Sequence, residues 1–309
     1  MHAYYADQFV LPLPEGHRFP MAKYRLLRQG LQDCLPGLQW YEAPAALAGE
    51  LALAHEPSYI QAIADGSVAA DIIREIGFPW SLGMAERALR SVGGTVAAAR
   101  VARQQGVAGS LAGGTHHAGT GRGGGFCVFN DLAVTARLLQ TEHARTARHT
   151  LRVAIVDLDV HQGNGTAEIL ANDHSVFTLS IHAEKNFPFR KVASDLDIGL
   201  PDGCTDAPYL HSVEDALNTV WSRFEPEFVL YLAGADPHAG DRLGRLSVST
   251  EGMRQRDQMV FDWAFEHRTP VAFCMGGGYG REIQTTLEVQ YNTWQVAYDA
   301  WQRWHNQRS

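Results

Sequence analysis

Short apolar runs alternate with longer segments of helical periodicity along most of the chain. The apolar runs predict strands over residues 107–113, 152–160, 175–181, 228–234 and 270–275. A period near 3.6 residues predicts helices over residues 20–34, 84–104, 130–139, 206–224 and 250–266. Alternating strands and helices are typical of a parallel sheet covered on both faces. We therefore predict an α/β fold, a three-layer α/β/α domain around a central, mostly parallel sheet.

The C-terminal segment carries a stripe of large apolar residues. The stripe recurs at spacings of four and three residues and consists of Leu287, Tyr291, Trp294, Tyr298 and Trp301. This spacing predicts a helix over residues 285–305 with one apolar face, which either packs on the core or forms a docking surface. No repeat or low-complexity linker divides the chain, so we expect one domain over residues 1–309 with this helix packed on it.

Polar side chains follow four of the predicted strands where they end. His116 and His117 follow one strand, Asp236 follows a second, and Tyr279 follows a third after three glycines. The run from Asp157 to His161 ends the fourth. Because ligands of open α/β sheets bind at the carboxyl ends of the strands, we expect these groups to share one active site.

The run from Asp157 to His161 carries the densest candidate chemistry. Side chains alternate along a strand, so Asp157, Asp159 and His161 are expected to point the same way. Together with the distant Asp236, Asp159 and His161 suit a divalent metal with open coordination positions. The alternative is that the acids cap the strand and the histidine is a core residue. We favour the metal for the set, since buried charges are costly unless paired or metal-bound.

The other strand-end residues each have a structural and a functional interpretation. His116 and His117 are either exposed loop residues or proton carriers, because imidazole titrates near neutral pH. Asp157 can orient one of them. Tyr279 is either a packed tyrosine or a donor to an oxyanion, a contact worth ~3 kcal/mol in the transition state. For Phe126 and Phe187, a tunnel wall and a core contact are equally supported.

The composition limits the function classes. The formal net charge of −8 disfavours overall binding to a nucleic-acid backbone and is compatible with a cationic substrate. No uncharged apolar stretch reaches the length of a membrane span, and the N-terminus has no signal-peptide pattern. The four cysteines form no C-x-x-C pair. We expect reduced, buried thiols at Cys127 and Cys274, a reducing compartment and a cytoplasmic location.

Five motifs together resemble the histone deacetylase superfamily, from about His17 to Ile283. They are Gly-Gly-Thr-His116-His117-Ala, Gly-Gly-Gly-Phe126-Cys127-Val-Phe-Asn130-Asp131, Asp157-Leu-Asp159-Val-His161-Gln-Gly-Asn164-Gly, Ala-Gly-Ala-Asp236-Pro and Gly-Gly-Gly-Tyr279. The stretch around Gln162 and Asn164, together with residues 240–249, is similar to the class IV branch. The resemblance implies an arginase-like α/β fold.

The resemblance also implies roles for individual residues. Asp159, His161 and Asp236 would bind zinc or ferrous iron, His116 would pair with Asp157, and Tyr279 would polarise the acyl carbonyl. The substrate channel would be lined by Gly125, Phe126, Phe187, Gly277 and Lys23, with Lys23 near an inner exit channel. A structural potassium ion would be held by Asp157, Asp159, His161, Ser180 and Ile181. Asn164 stands where class I members carry an aspartate, which predicts a lower pKa for His117 and favours it as a base.

The leading hypothesis is therefore a metal-dependent amidohydrolase. It removes an acyl group from the ε-amine of lysine in a protein or peptide, or from a small acylated amine. The class IV resemblance suggests that long fatty-acyl groups are preferred to acetyl. One alternative is an acetylpolyamine amidohydrolase, although no obvious insertion narrows the entrance. A further alternative is an inactive module that binds acyl-lysine, which the intact ligand set argues against.

Overall fold

A computed structural model describes residues 1–307, so the last two residues of the predicted domain lie outside the described residues. One sheet contains eight strands in the order β2-β1-β3-β8-β7-β4-β5-β6, and every neighbouring pair is parallel. The strands are β1 (His2–Tyr5), β2 (Gln39–Glu42), β3 (Val107–Ser110), β4 (Val153–Asp157), β5 (Val176–Ala183), β6 (Leu196–Leu200), β7 (Phe228–Ala233) and β8 (Val271–Met275). The predicted fold class is confirmed.

Helices cover both faces of this sheet. They are α1 (Lys23–Cys34), α2 (Ala48–Leu51), α3 (Pro57–Asp65), α4 (Ala70–Ile76), α5 (Leu82–Gln105), α6 (Asp131–His143), α7 (Asn164–Leu170), α8 (Asp206–Phe224), α9 (Thr250–Glu266) and α10 (Ile283–Asn306). Successive side chains of a strand enter opposite cores: Val153 and Ile155 pack with α5 and α6, whereas Ala154 and Val156 pack with α8 and α9. The strands are therefore buried on both faces, which explains their continuous apolar runs.

Two predicted strands end earlier than their apolar pattern. The strand predicted over 107–113 ends at Ser110, since the backbone N–H groups of Gly114 and Thr115 donate to the Asp131 carboxylate. The strand predicted over 152–160 ends at Asp157, whose own Oδ1 accepts from the backbone N–H of Asp159. Side-chain hydrogen bonds thus replace the ladder where the polar loops begin.

The C-terminal stripe faces the core. Leu287 and Trp294 are buried, and Tyr291, Tyr298 and Trp301 pack at the margin of the same core. The Tyr291 hydroxyl donates to the Leu26 carbonyl of α1 at 3.1 Å. Of the two interpretations of the stripe, core packing is the one that the structure supports.

Within residues 1–307 no helix is long and apolar enough to cross a membrane. The four cysteines are free; Cys127, Cys204 and Cys274 are buried, and Cys34 is exposed.

Candidate active site

The sheet order brings the four polar strand ends together. Strands β3, β8, β7 and β4 are consecutive neighbours, and because all are parallel their carboxyl ends lie at one edge. The loops that follow them line one cavity of about 520 Å³, with His116, His117, Asp159, His161 and Tyr279 in its wall. The site expected from the sequence is thus assembled from segments far apart in the chain.

Asp159, His161 and Asp236 form the candidate metal centre. All three are buried, and their potential ligand atoms lie within 4.8 Å of one another. The Nδ1 atom of His161 is 3.0 Å from Asp159 Oδ1 and 3.2 Å from Asp236 Oδ2. The backbone N–H groups of His161 and Gly277 donate to the two Asp159 oxygens at 2.9 and 2.7 Å, which fixes that carboxylate.

The geometry of these residues fits a divalent cation. Asp236 Oδ2 is fully buried and accepts no hydrogen bond, whereas its Oδ1 accepts from the Val160 N–H at 3.0 Å. A Cβ at position 277 would lie 1.8 Å from Asp236 Oδ2 and 2.7 Å from Asp159 Oδ2, so glycine keeps this space open. Two carboxylates and one imidazole are ligands that zinc and ferrous iron accept.

The pKa values of Asp236 and His161 also indicate that this centre favours a cation. Burial, together with the neighbouring Asp159 carboxylate, raises the pKa of Asp236 to about 7. Burial would lower the pKa of His161, but the carboxylates of Asp159 and Asp236, 3.0 and 3.2 Å from its Nδ1, raise it to about 10. Two buried carboxylates thus repel each other and hold a proton on the imidazole between them.

The tandem histidines have opposite protonation. His116 Nδ1 lies 2.6 Å from Asp157 Oδ2, and His117 Nδ1 lies 2.7 Å from the amide oxygen of Asn164. Burial lowers the pKa of His116, but the charges of Asp157 and Asp159 outweigh it and raise the pKa to about 9. Burial, and then the charges of His116 and His161, lower the pKa of His117 well below its usual value. Near pH 7 the first imidazole is protonated and the second is neutral.

Tyr279 lines the same cavity as Asp159 and His161 of the candidate metal centre, and its phenol is protonated. Its backbone N–H donates to Asp241 Oδ2 at 2.6 Å, and its ring contacts those of Phe19 and Phe126. Burial raises the pKa of the phenol well above its usual value, and the charge of Asp236 raises it further. The hydroxyl therefore keeps its proton and can donate a hydrogen bond.

The predicted channel residues lie along the same cavity. The Phe187 ring, 40% exposed, stands at the mouth with its centroid 4.9 Å from that of His117. Gly125 has φ of 51°, and a Cβ there would lie 2.5 Å from the His117 ring. Phe126 both lines the cavity and packs on Phe78, so its two interpretations hold together. Lys23 lies inside the cavity and is buried.

The residues predicted to hold potassium lie at the end of β4 (Asp157), in the loop that follows it (Asp159 and His161) and in β5 (Ser180 and Ile181). Asp157 is the register partner of Ser180, and the Ser180 hydroxyl is 3.0 Å from His182 Nδ1. Ile181 is buried in the core next to Ser180. Arg122 is exposed and pairs with Glu168 at 2.8 Å.

Three positioning residues were missed in the sequence. Asp131 holds the loop before His116 through Gly114 and Thr115, and Asp241 holds the Tyr279 backbone. The third, Arg256 in α9, donates from Nη1 to the carbonyls of Gly234 and Leu158 at 2.5 and 3.4 Å. The available signal was a charged pair, Arg256-Asp257, at core spacing from Met253 and Val260.

The sequence profile of the histone deacetylase domain matches residues 17–294, which is most of the chain. The chain belongs to the histone deacetylase family. This is a family of hydrolases, and the fold and the buried Asp-His-Asp centre agree with that assignment.

Relatives of the chain extend over most of its length. An uncharacterized protein of Picosynechococcus is 43% identical over 281 residues, which cover 90% of this chain and 92% of that protein. Histone deacetylase 2 of Arabidopsis thaliana is 33% identical over 239 residues, which cover 74% of this chain and 60% of that protein.

Two solved structures show the same fold. A histone deacetylase homologue from Aquifex aeolicus has a TM-score of 0.81 at 24% identity, over 96% of this chain and 84% of that one. An acetylpolyamine aminohydrolase from Burkholderia pseudomallei has a TM-score of 0.76 at 22% identity, over 96% of this chain and 98% of that one. At these identities the likeness concerns the fold alone.

Proposed function

We propose that this member of the histone deacetylase family is a metal-dependent deacylase that cleaves the ε-amide of acylated lysine. The observation that carries the proposal is the convergence of a cation site, a neutral imidazole and a protonated phenol in one cavity. Those are the groups that hydrolysis of an unactivated amide needs. Unpaired cysteines fit a reducing cytoplasmic location.

Asp159, His161 and Asp236 would hold zinc or ferrous iron. When bound, such an ion polarises the amide carbonyl and lowers the pKa of water. We also assign a structural potassium ion to oxygens of Asp157, Asp159, His161, Ser180 and Ile181, which the pairing of β4 with β5 supports.

His117 is the general base in this proposal. Its Nδ1–H donates to Asn164, so the Nε2 lone pair is free to accept a proton from water as the water oxygen attacks the amide carbon. Tyr279 donates its hydroxyl proton in a hydrogen bond to the oxyanion. His116, held protonated by Asp157, adds a fixed positive charge.

The leaving amine needs a proton when the C–N bond breaks. His117 supplies it, because an imidazolium of low pKa is the stronger acid of the two histidines. The acyl group leaves as a carboxylic acid, which passes its proton to the released amine, so the products are a carboxylate and a lysine ammonium and the imidazole returns to its neutral state. The enzyme therefore uses one histidine for both proton transfers and the other for charge.

The test is a hydrolysis assay with the metal-replete enzyme and Nε-acyl-lysine peptides from acetyl to myristoyl. We expect turnover by the wild type and a large loss in Asp159→Ala and His117→Ala, while the exposed control His174→Ala keeps wild-type activity. Absence of hydrolysis at every chain length would contradict the proposal. Tight binding without turnover would instead support an inactive binding module.

A second candidate is the hydrolysis of acetylpolyamines, which the fold likeness to an acetylpolyamine aminohydrolase favours. The mouth of the cavity argues against it, since exposed Arg18 and Lys185 line the cavity and outnumber the exposed Glu75, whereas Arg245 is paired with Asp202. Direct competition between N-acetylputrescine and an acetyl-lysine peptide distinguishes the two. We expect the peptide to be cleaved faster.

A further inference from the structure

The inner part of the cavity contains a buried lysine that no acid neutralises. Lys23, the first residue of α1, is only 1% exposed and lines the cavity. Its Nζ contacts one oxygen, the Gly278 carbonyl at 3.4 Å, and lies 5.2–5.3 Å from the ring centres of Phe19, Tyr24 and Tyr279. Within residues 1–307 no carboxylate forms an ion pair with it.

These contacts leave most of the ammonium's binding capacity unused. An ammonium group has three N–H donors, and a single bond of 3.4 Å is a weak one. Aromatic rings stabilise a cation but accept no strong hydrogen bond. Because a buried charge is costly unless it is paired, the site favours an anion at Lys23.

A second buried cation lies close to the first. Arg87 of α5 also lines the cavity, and its Cζ is 4.5 Å from the centre of the Tyr24 ring, which Lys23 also contacts. Its Nη1 donates to the Phe9 carbonyl at 3.2 Å. The nearby Asp7 pairs with Arg28 at 3.1 Å instead. Two positive side chains thus face the inner cavity of a protein whose net charge is −8.

The remaining inner wall is apolar. It is formed by Leu11, Phe19, Phe78, Met84, Ala88, Val128 and Phe129. Such a wall accepts methylene groups, and the two cations accept a negative end. A fully apolar tail placed against Lys23 would remove its remaining hydration without giving it a partner.

We propose that this enzyme prefers acyl groups that end in a carboxylate, such as succinyl or glutaryl, and that Lys23 binds the terminal carboxylate with support from Arg87. The inference rests on the proposed deacylase function and names its substrate class. Lys23 Nζ lies 5.3 Å from the centre of the ring of Tyr279, the phenol assigned to the acyl carbonyl, so the inference requires a short acyl tail that is directed inward. A carboxylate released as product offers the same chemistry, and the experiment separates these two sources.

The experiment compares acyl-lysine peptides in pairs of equal chain length. Succinyl is paired with butyryl, glutaryl with pentanoyl, and adipoyl with hexanoyl, and kcat/KM is measured with the zinc-replete enzyme. We expect the carboxyl member of at least one pair to be cleaved about tenfold faster or more. Lys23→Met, of similar size but uncharged, should lose this ratio, and Lys23→Arg should retain it. Arg254→Met, at an exposed position of α9 outside the cavity, should leave it unchanged.

Each outcome decides a different point. A wild type that prefers the methyl-ended member of every pair overturns the inference, as does a Lys23→Met enzyme that keeps the ratio. Inhibition by free glutarate that depends on Lys23, without any preference among substrates, would show that Lys23 binds the released carboxylate product. That result also overturns the inference. Absence of hydrolysis for both members of every pair contradicts the deacylase function itself. If Lys23→Met does not fold, the wild-type ratios and Lys23→Gln decide.

Discussion

His116 and His117 are adjacent but differ in charge, and the Nδ1 atom of each lies within hydrogen-bond distance of a different oxygen. Asp157 gives His116 a full negative charge at 2.6 Å, whereas Asn164 gives His117 only an amide dipole at 2.7 Å. Burial lowers the pKa of both imidazoles, but the charges of Asp157 and Asp159 raise that of His116 to about 9. The Asn164 hydrogen bond does not offset burial and the charges of His116 and His161, so the pKa of His117 stays lowered. An aspartate at position 164 would place a negative charge at His117 Nδ1 and raise the pKa of that imidazole.

Asn164→Asp tests the origin of the low pKa of His117. A carboxylate at Nδ1 raises that pKa, so the base becomes neutral only at higher pH. The acidic limb of the pH profile of kcat/KM should move upward by about one unit or more. Asn164→Ala, which removes the amide without adding charge, serves as the control. An acidic limb that stays in place in Asn164→Asp would show that His117 is not the titrating base.

Tyr279→Phe tests the phenol as a donor. The ring and its packing on Phe19 and Phe126 remain, and only the hydroxyl is lost. We expect kcat to fall ~100-fold or more, with a much smaller change in KM, since the bond forms to the oxyanion and not to the ground state. Steady-state kinetics measures both, and Tyr41→Phe at an exposed position is the matched control. Equal losses in both variants would exclude this role.

At the scale of elements, α9 holds the ends of β4 and β7 at a fixed spacing. Arg256 donates to the carbonyls of Leu158 and Gly234, one residue before Asp159 and two before Asp236. Its charge is balanced by Asp257, which accepts from the Tyr231 and Thr293 hydroxyls. The helix thereby sets the distance between the two carboxylates of the candidate metal centre.

Arg256→Met should weaken metal binding although the side chain contacts no ligand directly. We expect the zinc affinity to fall ~10–100-fold, as for other groups that orient ligands, and the free energy of unfolding to fall by about 3–5 kcal/mol. Competition with a chelator on folded protein measures the affinity. Arg254→Met, on the exposed face of the same helix, is the control. Unchanged zinc affinity in folded Arg256→Met would show that Arg256 stabilises the core but does not position the metal ligands.

The start of α6 makes stability depend on pH. His55 donates from Nδ1 to the Gly119 carbonyl and accepts at Nε2 from the Asn130 N–H, so only the neutral imidazole satisfies both contacts. Burial accordingly lowers its pKa to about 4. The unfolded chain takes up this proton near pH 6.5, so the stability present above that pH is lost as the pH falls toward 4.

Unfolding titrations at several pH values measure this effect. The wild type should lose about 3 kcal/mol from His55 between pH 7 and pH 4, and His55→Gln, which is less stable at pH 7, should show a shallower slope. Parallel slopes for the two proteins would contradict the account.

The sequence reveals the central elements better than the peripheral ones. β4, β5, β7 and β8 are buried apolar runs, and their positions were predicted within a few residues. β1, β2 and β6 were missed because they are short and carry exposed or half-buried residues. The same holds for the helices of four to nine residues, α2, α3, α4 and α7.

The site residues divide in the same way. The site residues that the sequence predicts follow apolar strands, and the structure brings them together. They are Asp159, His161, Asp236, His117 and Tyr279. Asp131, Asp241 and Arg256 act by hydrogen bonds to distant backbone groups, which the local sequence does not specify. Of the three, Arg256 alone carried a local signal, its charged pair with Asp257 at core spacing.

At the scale of the whole molecule, the net charge of the chain is negative, whereas most charged side chains that line the cavity are positive. The chain is acidic, which is compatible with a cationic substrate, yet basic side chains outnumber the acidic Glu75 and Asp159 in the cavity lining: Arg18, Lys23, Arg87, Lys185 and Arg245. The field at the site is set by these near charges, because distant surface charges are screened. Substrate charge is therefore better inferred from the cavity than from the total.

Metal binding should stabilise the whole domain, because its ligands come from two strands of the central sheet. Excess zinc should raise the melting temperature of the wild type, and Asp236→Ala should lose that rise. Differential scanning fluorimetry of chelator-treated protein measures it. An equal rise in both proteins would place the zinc elsewhere.

The most direct test of the central claim is titration of chelator-stripped enzyme with zinc while hydrolysis of acyl-lysine peptides is followed. Asp159, His161 and Asp236 form one centre, so activity should rise until one ion is bound per chain and then stop. Asp236→Ala should stay inactive throughout. Stripped protein that is fully active, or activity that does not follow zinc occupancy, would contradict the account.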